Sequence, residues 1–133
     1  MARTKKRELG DLGEDLAVRY LESRKYKILE RNYLKPYGEI DIVAKKGGSI
    51  YFVEVKSFKT KDYKGDWFSH ENSGIRAEDN IHPKKLSSLE KVISVYLLEN
   101  GEYSSLDIKF IAIVVEINTL NKRAKIRIID DVL

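Results

Sequence analysis

The hydrophobic positions at the start of the chain follow a helical period. Apolar residues recur three or four positions apart between Leu9 and Leu21, which is the spacing of one helix face. This pattern predicts an amphipathic helix over residues 6 to about 24. Gly10 and Gly13 lie near the apolar stripe, and each weakens a helix by about 1 kcal/mol relative to Ala. We therefore expect the close approach of another backbone to be the reason for these glycines.

Three segments with the composition of β-strands come next. They mix β-branched and aromatic residues with charged ones, and turn residues separate them. Gly47-Gly48 makes the second reversal tight, so the second and third strands should form a hairpin. The predicted strands are residues 26–33, 39–44 and 50–57, with turns at 36–38 and 46–49.

The second half of the chain predicts one helix and two strands. Residues 58–81 show no sustained period and predict a long loop. Pro83 suits the first turn of a helix whose apolar face ends before Asn100-Gly101. Residues 106–117 are nearly continuously apolar, as in a strand covered on both faces, and residues 123–129 predict a shorter last strand. The order αβββαββ indicates a single α/β domain over residues 1–133, with residues 1–7 as a basic flexible tail.

The amino-acid composition indicates a single globular domain and excludes several kinds of site. The chain has 133 residues, of which 42% are hydrophobic and 35% charged, enough for one domain with its own core. It has no cysteine, which excludes disulfides, thiolate nucleophiles and Cys-ligated metal sites. No stretch has the ~20 apolar residues of a membrane span, and the basic N-terminus is followed by Glu8 and Asp11 rather than an apolar signal core. We expect a cytoplasmic protein that does not bind membranes.

Two runs of basic residues carry the net charge of +4. One lies within the first seven residues and the other between Lys122 and Arg127, and neither has an acidic residue among its members. Such runs are typical of a solvated tail and an exposed hairpin. They also suit contact with a phosphate backbone, so the charge alone leaves both interpretations open.

The predicted hairpin brings together three residues that could carry chemistry. Asp41 lies on one strand and Glu54 and Lys56 on its partner. Side chains alternate along a strand, so Glu54 and Lys56 share a face, and Asp41 can meet them across the pair. Carboxylate oxygens bind Mg²⁺ or Mn²⁺, which activates a water for phosphodiester hydrolysis, while a Lys orients that water or steadies the phosphate charge. A charged ladder on an exposed sheet face gives the same spacing.

Glu14 stands apart from the polar face of the first helix. At 100° per residue from Leu9, the polar face centres near about 240° and Glu14 falls near about 140°, at the edge of the buried stripe. A carboxylate there can reach a cleft against the sheet. A plain ion pair with a nearby Lys or Arg is the competing interpretation.

Basic residues elsewhere suit contact with a nucleic acid. Lys85 leans toward the apolar side of the second helix near its N-terminus, where phosphate is attracted, while Lys84 projects away. In the long loop, Lys59, Lys61 and Arg76 are interleaved with aromatic residues, a mixture that suits unpaired bases and their backbone. Solvated lysines, a lid or a dimer contact explain these features as well.

Taken together, these residues resemble the small bacterial YraN family. The resemblance spans most of the chain and depends on the order of its motifs. These motifs are Gly13-Glu14-Asp15-Leu16-Ala17, Tyr20-Leu21, Arg31-Asn32-Tyr33, Tyr37-Gly38-Glu39-Ile40-Asp41-Ile42-Val43-Ala44, Phe52-Val53-Glu54-Val55-Lys56, Lys85 and Tyr96-Leu97.

The resemblance implies a fold and a chemistry. The YraN family is similar in fold to the restriction-endonuclease-like, or PD-(D/E)xK, nucleases, which have a three-layer core with a mixed central sheet, and its functional parallel is the archaeal Holliday-junction resolvases. By that resemblance Asp41, Glu54 and the Val55 carbonyl would bind Mg²⁺ or Mn²⁺. Glu14 would be a further ligand, directly or through water, and Lys56 would lie beside the attacking water. Independently of the resemblance, we expect Ser57, which follows Lys56, to point to the opposite face and to have a structural role only.

Three functions remain open at this point. The first is a metal-dependent nuclease acting on DNA rather than RNA, with branched or flapped structures among its candidate substrates. Four-way junctions would favour a homodimer, because symmetric cleavage needs two centres. The second is a nucleic-acid-binding module without turnover. The third is an adaptor that binds a protein through the long aromatic loop.

Overall fold

A computed structural model describes residues 5–60, 83–118 and 120–130. The elements follow the predicted order, with one short 3₁₀ turn added at Gly101–Tyr103. They are α1 (Lys5–Ser23), β1 (Lys27–Lys35), β2 (Gly38–Lys46), β3 (Ser49–Thr60), α2 (Pro83–Glu99), β4 (Asp107–Asn118) and β5 (Arg123–Ile129).

Two predicted boundaries are wrong. The predicted tail over residues 1–7 is too long, because Lys5, Lys6 and Arg7 already belong to α1. The predicted loop over residues 58–81 begins too early, because β3 continues through Thr60. These last residues of β3 pair with the end of β4, up to Thr60 with Asn118, and that distant partner supplies the hydrogen bonds that a local pattern does not reveal. Residues 61–82 lie outside the described part of the chain.

The five strands form one mixed sheet in the order β1-β2-β3-β4-β5. β3 and β4 are parallel, and the other neighbours are antiparallel. This confirms the predicted mixed sheet. β4 is buried from Phe110 to Asn118, as expected of a nearly continuous apolar strand with partners on both sides.

The two helices cover opposite faces of the sheet. Ala17 and Leu21 of α1 belong to a buried cluster with Ile42 and Val53. On the other face, α2 packs its buried apolar residues against the sheet. That second cluster includes Leu89, Val92, Ile93 and Tyr96 of α2 with Ile40, Val43, Ile50, Phe52 and Phe110. Within the described ranges, no helix is both long and apolar enough to cross a membrane.

Gly13 lets α1 lie close to β3. A Cβ atom at Gly13 would stand 1.6 Å from Ser57 Oγ and 2.7 Å from Ser57 Cβ, distances that no packed structure allows. The expectation of a close approach therefore holds at Gly13. It is wrong at Gly10, where an added Cβ would meet nothing within 4 Å because that residue faces solvent.

Candidate active site

β2 changes the face that it presents to the two helices at Asp41. Residues two apart on a regular strand share a face. Ile42 nevertheless belongs to the cluster under α1, whereas Ile40 belongs to the cluster under α2. The strand therefore rotates between these two residues, and Asp41 lies at the rotation.

β1 makes the same change at the same level. Arg31 pairs with Ile42 and Tyr33 with Ile40. Arg31 contacts Glu14 of α1, whereas the Tyr33 ring packs against Tyr96 of α2 with its centroid 5.0 Å away. Between them Asn32 has a φ of 52°, in the left-handed region that Asn tolerates better than most residues.

The Asp41 carboxylate lies between β2 and β3, where the two strands separate. Their ladder ends with the pair Ile42 and Val53. Two residues further along β3, the backbone N–H of Val55 donates to Asp41 Oδ2 at 2.8 Å. A side chain thus replaces the backbone acceptor that a continued ladder would have supplied. Because both polar groups of a strand residue point to the same edge, the Val55 carbonyl also faces this opening.

A cleft of about 530 Å³ opens at this point between the sheet and α2. Asp41, Glu54 and Lys56 all line it, so the structure brings together the three residues of the predicted hairpin site. The predicted contact across a regular pair is wrong, however, because the ladder has already ended when it reaches Asp41. Asp41, Glu54 and Lys56 line the same cleft because β2 and β3 separate at this point.

The charge of the cleft favours a cation. The described lining residues include the carboxylates of Glu39, Asp41 and Glu54 and the ammonium of Lys56. Burial, the largest cause, and the charges of Glu39, Glu14 and Glu54 together raise the pKa of the Asp41 carboxyl to about 6, against the lowering effect of the Val55 N–H. Carboxylates that raise one another's pKa are relieved by a bound cation.

Glu14 is a buried carboxylate on α1 that does not line this cleft. It is 8% exposed, as its predicted place at the edge of the apolar stripe required. Its Oε1 accepts hydrogen bonds from Arg31 Nε at 3.1 Å and from Asn32 Nδ2 at 3.0 Å. Burial raises the pKa of Glu14, and both donors oppose that rise. The ion pair of Glu14 with a nearby basic residue, which was the competing interpretation of Glu14, is therefore present and is formed with Arg31. Glu14 also interacts electrostatically with Asp41.

The donor set suits a hard divalent cation with two protein carboxylates. Mg²⁺ is commonly held by one or two carboxylates, with water and substrate phosphate completing its shell. Asp41, Glu54 and the Val55 carbonyl offer such oxygens. Throughout residues 5–60, 83–118 and 120–130, no group of three or more His, Cys, Asp or Glu residues is arranged to hold a metal. The residues therefore fit a site with two carboxylates, and Glu14 is not part of it.

The remaining predicted site residues fall into two groups. Lys59 is exposed on β3, and strand alternation places it on the α1 face, opposite Lys56. It is therefore not a loop residue and does not line the cleft. Lys84 and Lys85 lie in the first turn of α2, but their side chains are outside the description, as are Lys61 and Arg76 altogether.

Three residues of this region were missed by reasoning from the sequence. Glu39 lines the cleft, and its position two residues before Asp41 was an available signal. Arg31 and Asn32 contact Glu14, but their positions seventeen and eighteen residues away gave no local signal. Ser57 lies against Gly13 of α1, on the face opposite Glu54 and Lys56, as expected for the residue that follows Lys56 on a regular strand.

Fold and cleft together define a small mixed α/β domain with an acidic opening between a hairpin and a helix. The sequence model of the family described as "Uncharacterised protein family UPF0102" matches residues 13–115. The chain belongs to this family, which is also the YraN family.

Proteins named "UPF0102 protein" from several bacteria resemble it. One from Syntrophomonas wolfei is 40% identical over 91 residues, covering 68% of this chain and 70% of that protein. Another from Dictyoglomus turgidum is 36% identical over 104 residues, covering 78% of each. A third from Carboxydothermus hydrogenoformans is 41% identical over 98 residues, covering 74% of each.

Proposed function

We propose that this protein is a Mg²⁺- or Mn²⁺-dependent nuclease with a PD-(D/E)xK-type core that hydrolyses phosphodiester bonds in DNA. The observation that carries the proposal is the position of the Asp41 carboxylate. It accepts from the Val55 N–H at 2.8 Å where β2 and β3 separate, in the same cleft as Glu54 and Lys56. A carboxylate with a pKa raised to about 6 in a cleft is a mark of a functional site.

The residues of the cleft would have different roles in the reaction. Asp41 and Glu54, with the Val55 carbonyl, would hold the cation. The cation, once bound, lowers the pKa of a water and offsets charge on the phosphate. Lys56, on the same face of β3 as Glu54, would orient that water and bind a phosphate oxygen. The acidic lining repels a bare phosphodiester, so substrate binding should require the cation.

Contact with the phosphate backbone of a nucleic acid would determine which substrates the protein binds. The net charge of +4 supports binding that depends on phosphates more than on base sequence, with affinity that falls steeply as salt rises. DNA is the proposed substrate, with flapped and four-way structures as the first candidates. A homodimer would supply the two centres that symmetric junction cleavage needs.

A cleavage assay tests the proposal. End-labelled duplex, single-stranded, flapped and four-way-junction DNA is incubated with the protein in Mg²⁺, Mn²⁺ or EDTA, beside Asp41→Ala and Lys56→Ala. Asp107→Asn and Lys109→Ala are matched controls, because both residues are exposed at the start of β4. We expect DNA cleavage that requires the metal. Asp41→Ala and Lys56→Ala should abolish it, and the two control variants should retain it. No cutting of any DNA with either metal would refute the proposal.

A DNA-binding module without turnover is the second candidate. It is favoured by the Arg31 ion pair with Glu14 at 3.1 Å and by the lack, among the described residues, of a metal-holding group of three or more side chains. This function predicts that wild type, Asp41→Ala and Lys56→Ala bind the same DNA panel alike in EDTA. The adaptor function depends on the long loop, most of which lies outside the described residues.

A further inference from the structure

A groove lies between α1 and the β4–β5 hairpin, on the sheet face opposite the cleft. α1 packs mainly over β3, so the β5 side of this face is less well covered. The groove has a volume of about 310 Å³, near the lower limit for a pocket that holds a small ligand. Its apolar lining consists of Leu12, Leu16, Ile117 and Ala124.

The groove leaves apolar surface in contact with solvent. Leu12 is 46% exposed, and Ala124 at the start of β5 is also exposed. A single exposed leucine needs no explanation, whereas several apolar residues grouped in a concave surface are typical of a binding site. A side chain that entered the groove would remove Leu12 and Ala124 from water and pack against Ile117.

Basic residues lie around this apolar surface. Lys122 and Arg123 line the groove at the end of the hairpin, and both are exposed. Lys59 pairs with Ile117 in the parallel ladder, so it lies beside Ile117 on the same sheet face. Among the described residues that line the groove, none is acidic. The groove therefore complements a partner that carries carboxylates.

Hydrogen bonds of two asparagines fix the backbone that carries these cations. Asn118 Oδ1 accepts from the backbone N–H groups of Leu120 at 3.0 Å and Asn121 at 3.4 Å. Asn121 Oδ1 accepts from the backbone N–H of Arg123 at 3.2 Å. Lys122 lies between them with a φ of 54°. Because the turn is already ordered, binding does not have to order it.

The chemistry of the groove favours a peptide over a nucleic acid. Unpaired bases stack on aromatic rings, and no described residue of the groove lining is aromatic. Aliphatic side chains match its apolar floor, and carboxylates match its cations.

We propose that this groove is a docking site for a short peptide segment of a partner protein, in which aliphatic side chains alternate with aspartate or glutamate. The proposal does not depend on the proposed nuclease function, because the groove and the cleft lie on opposite faces of the sheet.

NMR titration of the ¹⁵N-labelled protein with a synthetic peptide of alternating aspartate and leucine tests this assignment. The peptide should shift the backbone amide signals of Leu12, Leu16, Ile117 and Ala124. A peptide with serine in place of leucine, or with lysine in place of aspartate, should bind at least about 10-fold more weakly. Binding of the aspartate–leucine peptide should also weaken as salt rises.

Two variants with matched controls test the apolar and the charged part separately. Leu12→Ala should weaken peptide binding about 10-fold, whereas Leu98→Ala, at a leucine of α2 that is 83% exposed, should bind as wild type. Lys122→Asn removes the charge and tolerates the left-handed φ, and it should weaken binding about 5-fold. Lys25→Asn is its control, because Lys25 is also exposed and has a φ of 73°.

Several results would overturn the assignment. Amide signals of the groove that do not shift, or equal binding of the lysine–leucine peptide, would show that no such docking site exists. Single-stranded oligothymidylate that shifts these signals at a lower concentration than the peptide would identify a nucleic-acid surface instead. A dimer in sedimentation equilibrium that Leu12→Ala dissociates would identify an interface between two copies of the chain. If Leu12→Ala does not fold, as judged by circular dichroism, Lys122→Asn decides the test, and unchanged binding by that variant would also overturn the proposal.

Discussion

Gly13 offers the most direct test of how α1 is held against the sheet. The Gly13→Ala substitution would place a methyl group 2.7 Å from Ser57 Cβ and 1.6 Å from Ser57 Oγ. Rotation of Ser57 can move its Oγ, but the Cβ contact remains and forces the helix away from β3. Overpacking of this kind costs about 1 to 3 kcal/mol, with the upper end expected here. The better helix propensity of Ala returns about 1 kcal/mol.

The net expectation for Gly13→Ala is a loss of about 2 kcal/mol in the free energy of unfolding. For a chain of this length the loss corresponds to a fall of roughly 6 °C in Tm. Gly10→Ala is the matched control, because it lies one turn earlier on the same helix and an added Cβ there meets nothing within 4 Å. That variant should gain about 1 kcal/mol through helix propensity alone. Urea unfolding followed by circular dichroism measures both values.

Ser57→Gly should rescue Gly13→Ala. Deleting the Ser57 side chain removes both close atoms and leaves Ser57 Cα, 3.8 Å away, as the nearest. In the double-mutant cycle, the substitutions at positions 13 and 57 should therefore show a favourable coupling of about 3 kcal/mol, equal to the overpacking cost that the missing side chain removes. If Gly13→Ala is as stable as Gly10→Ala, or if the double variant shows no coupling, α1 does not approach β3 as described.

Three further predictions concern the cleft and the core. The folded-state pKa of Asp41 is about 6 against an ordinary value of 3.8, so ionised Asp41 weakens the folded state, with no cost below pH 3.8 and about 3 kcal/mol above pH 6. Asp41→Asn should therefore exceed wild type in stability at pH 8 but not at pH 3.5, as measured by urea unfolding in EDTA, and an equal difference at both pH values would contradict this. Mn²⁺ at ten times its Kd should stabilise wild type by about 1.4 kcal/mol in a thermal melt and Glu54→Gln by less; identical shifts would argue against Glu54 as a ligand. Phe52→Ala, at a side chain with 0% exposure, should cost about 3 to 5 kcal/mol with little change in the urea m-value, and a loss under 1 kcal/mol would mean that Phe52 is not part of the core.

The features that the sequence predicted well are those set by local geometry. The helical period fixed the angular position of Glu14, and the structure finds it buried. The Gly47-Gly48 reversal predicted the β2–β3 hairpin, and Lys46 pairs with Ser49 across it. Both depend on residues within a few positions of one another, which patterns of period and turn can describe.

The features that could not be predicted from the sequence depend on contacts between residues that are far apart in the chain. Ile40 and Ile42 are both apolar, so no pattern could indicate that they pack on opposite faces. The extension of β3 to Thr60 depends on its pairing with Asn118. The contacts of Glu14 with Arg31 and Asn32 arise only when β1 lies beside α1. In each case tertiary pairing decides what local propensity leaves open.

The parallel pairing of β3 with β4 bears on when the cleft can form. Glu14, Asp41, Glu54 and Lys56 all lie in the first half of the chain, yet every β3–β4 pair joins residues 58 positions apart, from Ser49 with Asp107 to Thr60 with Asn118. Contacts of such long range form slowly, because the loop between them must close first. During synthesis, β3 has no partner on its β4 side until β4 leaves the ribosome, so the nascent hairpin carries its acidic groups on an unfinished sheet. Assembly of the cleft is thereby tied to completion of the domain.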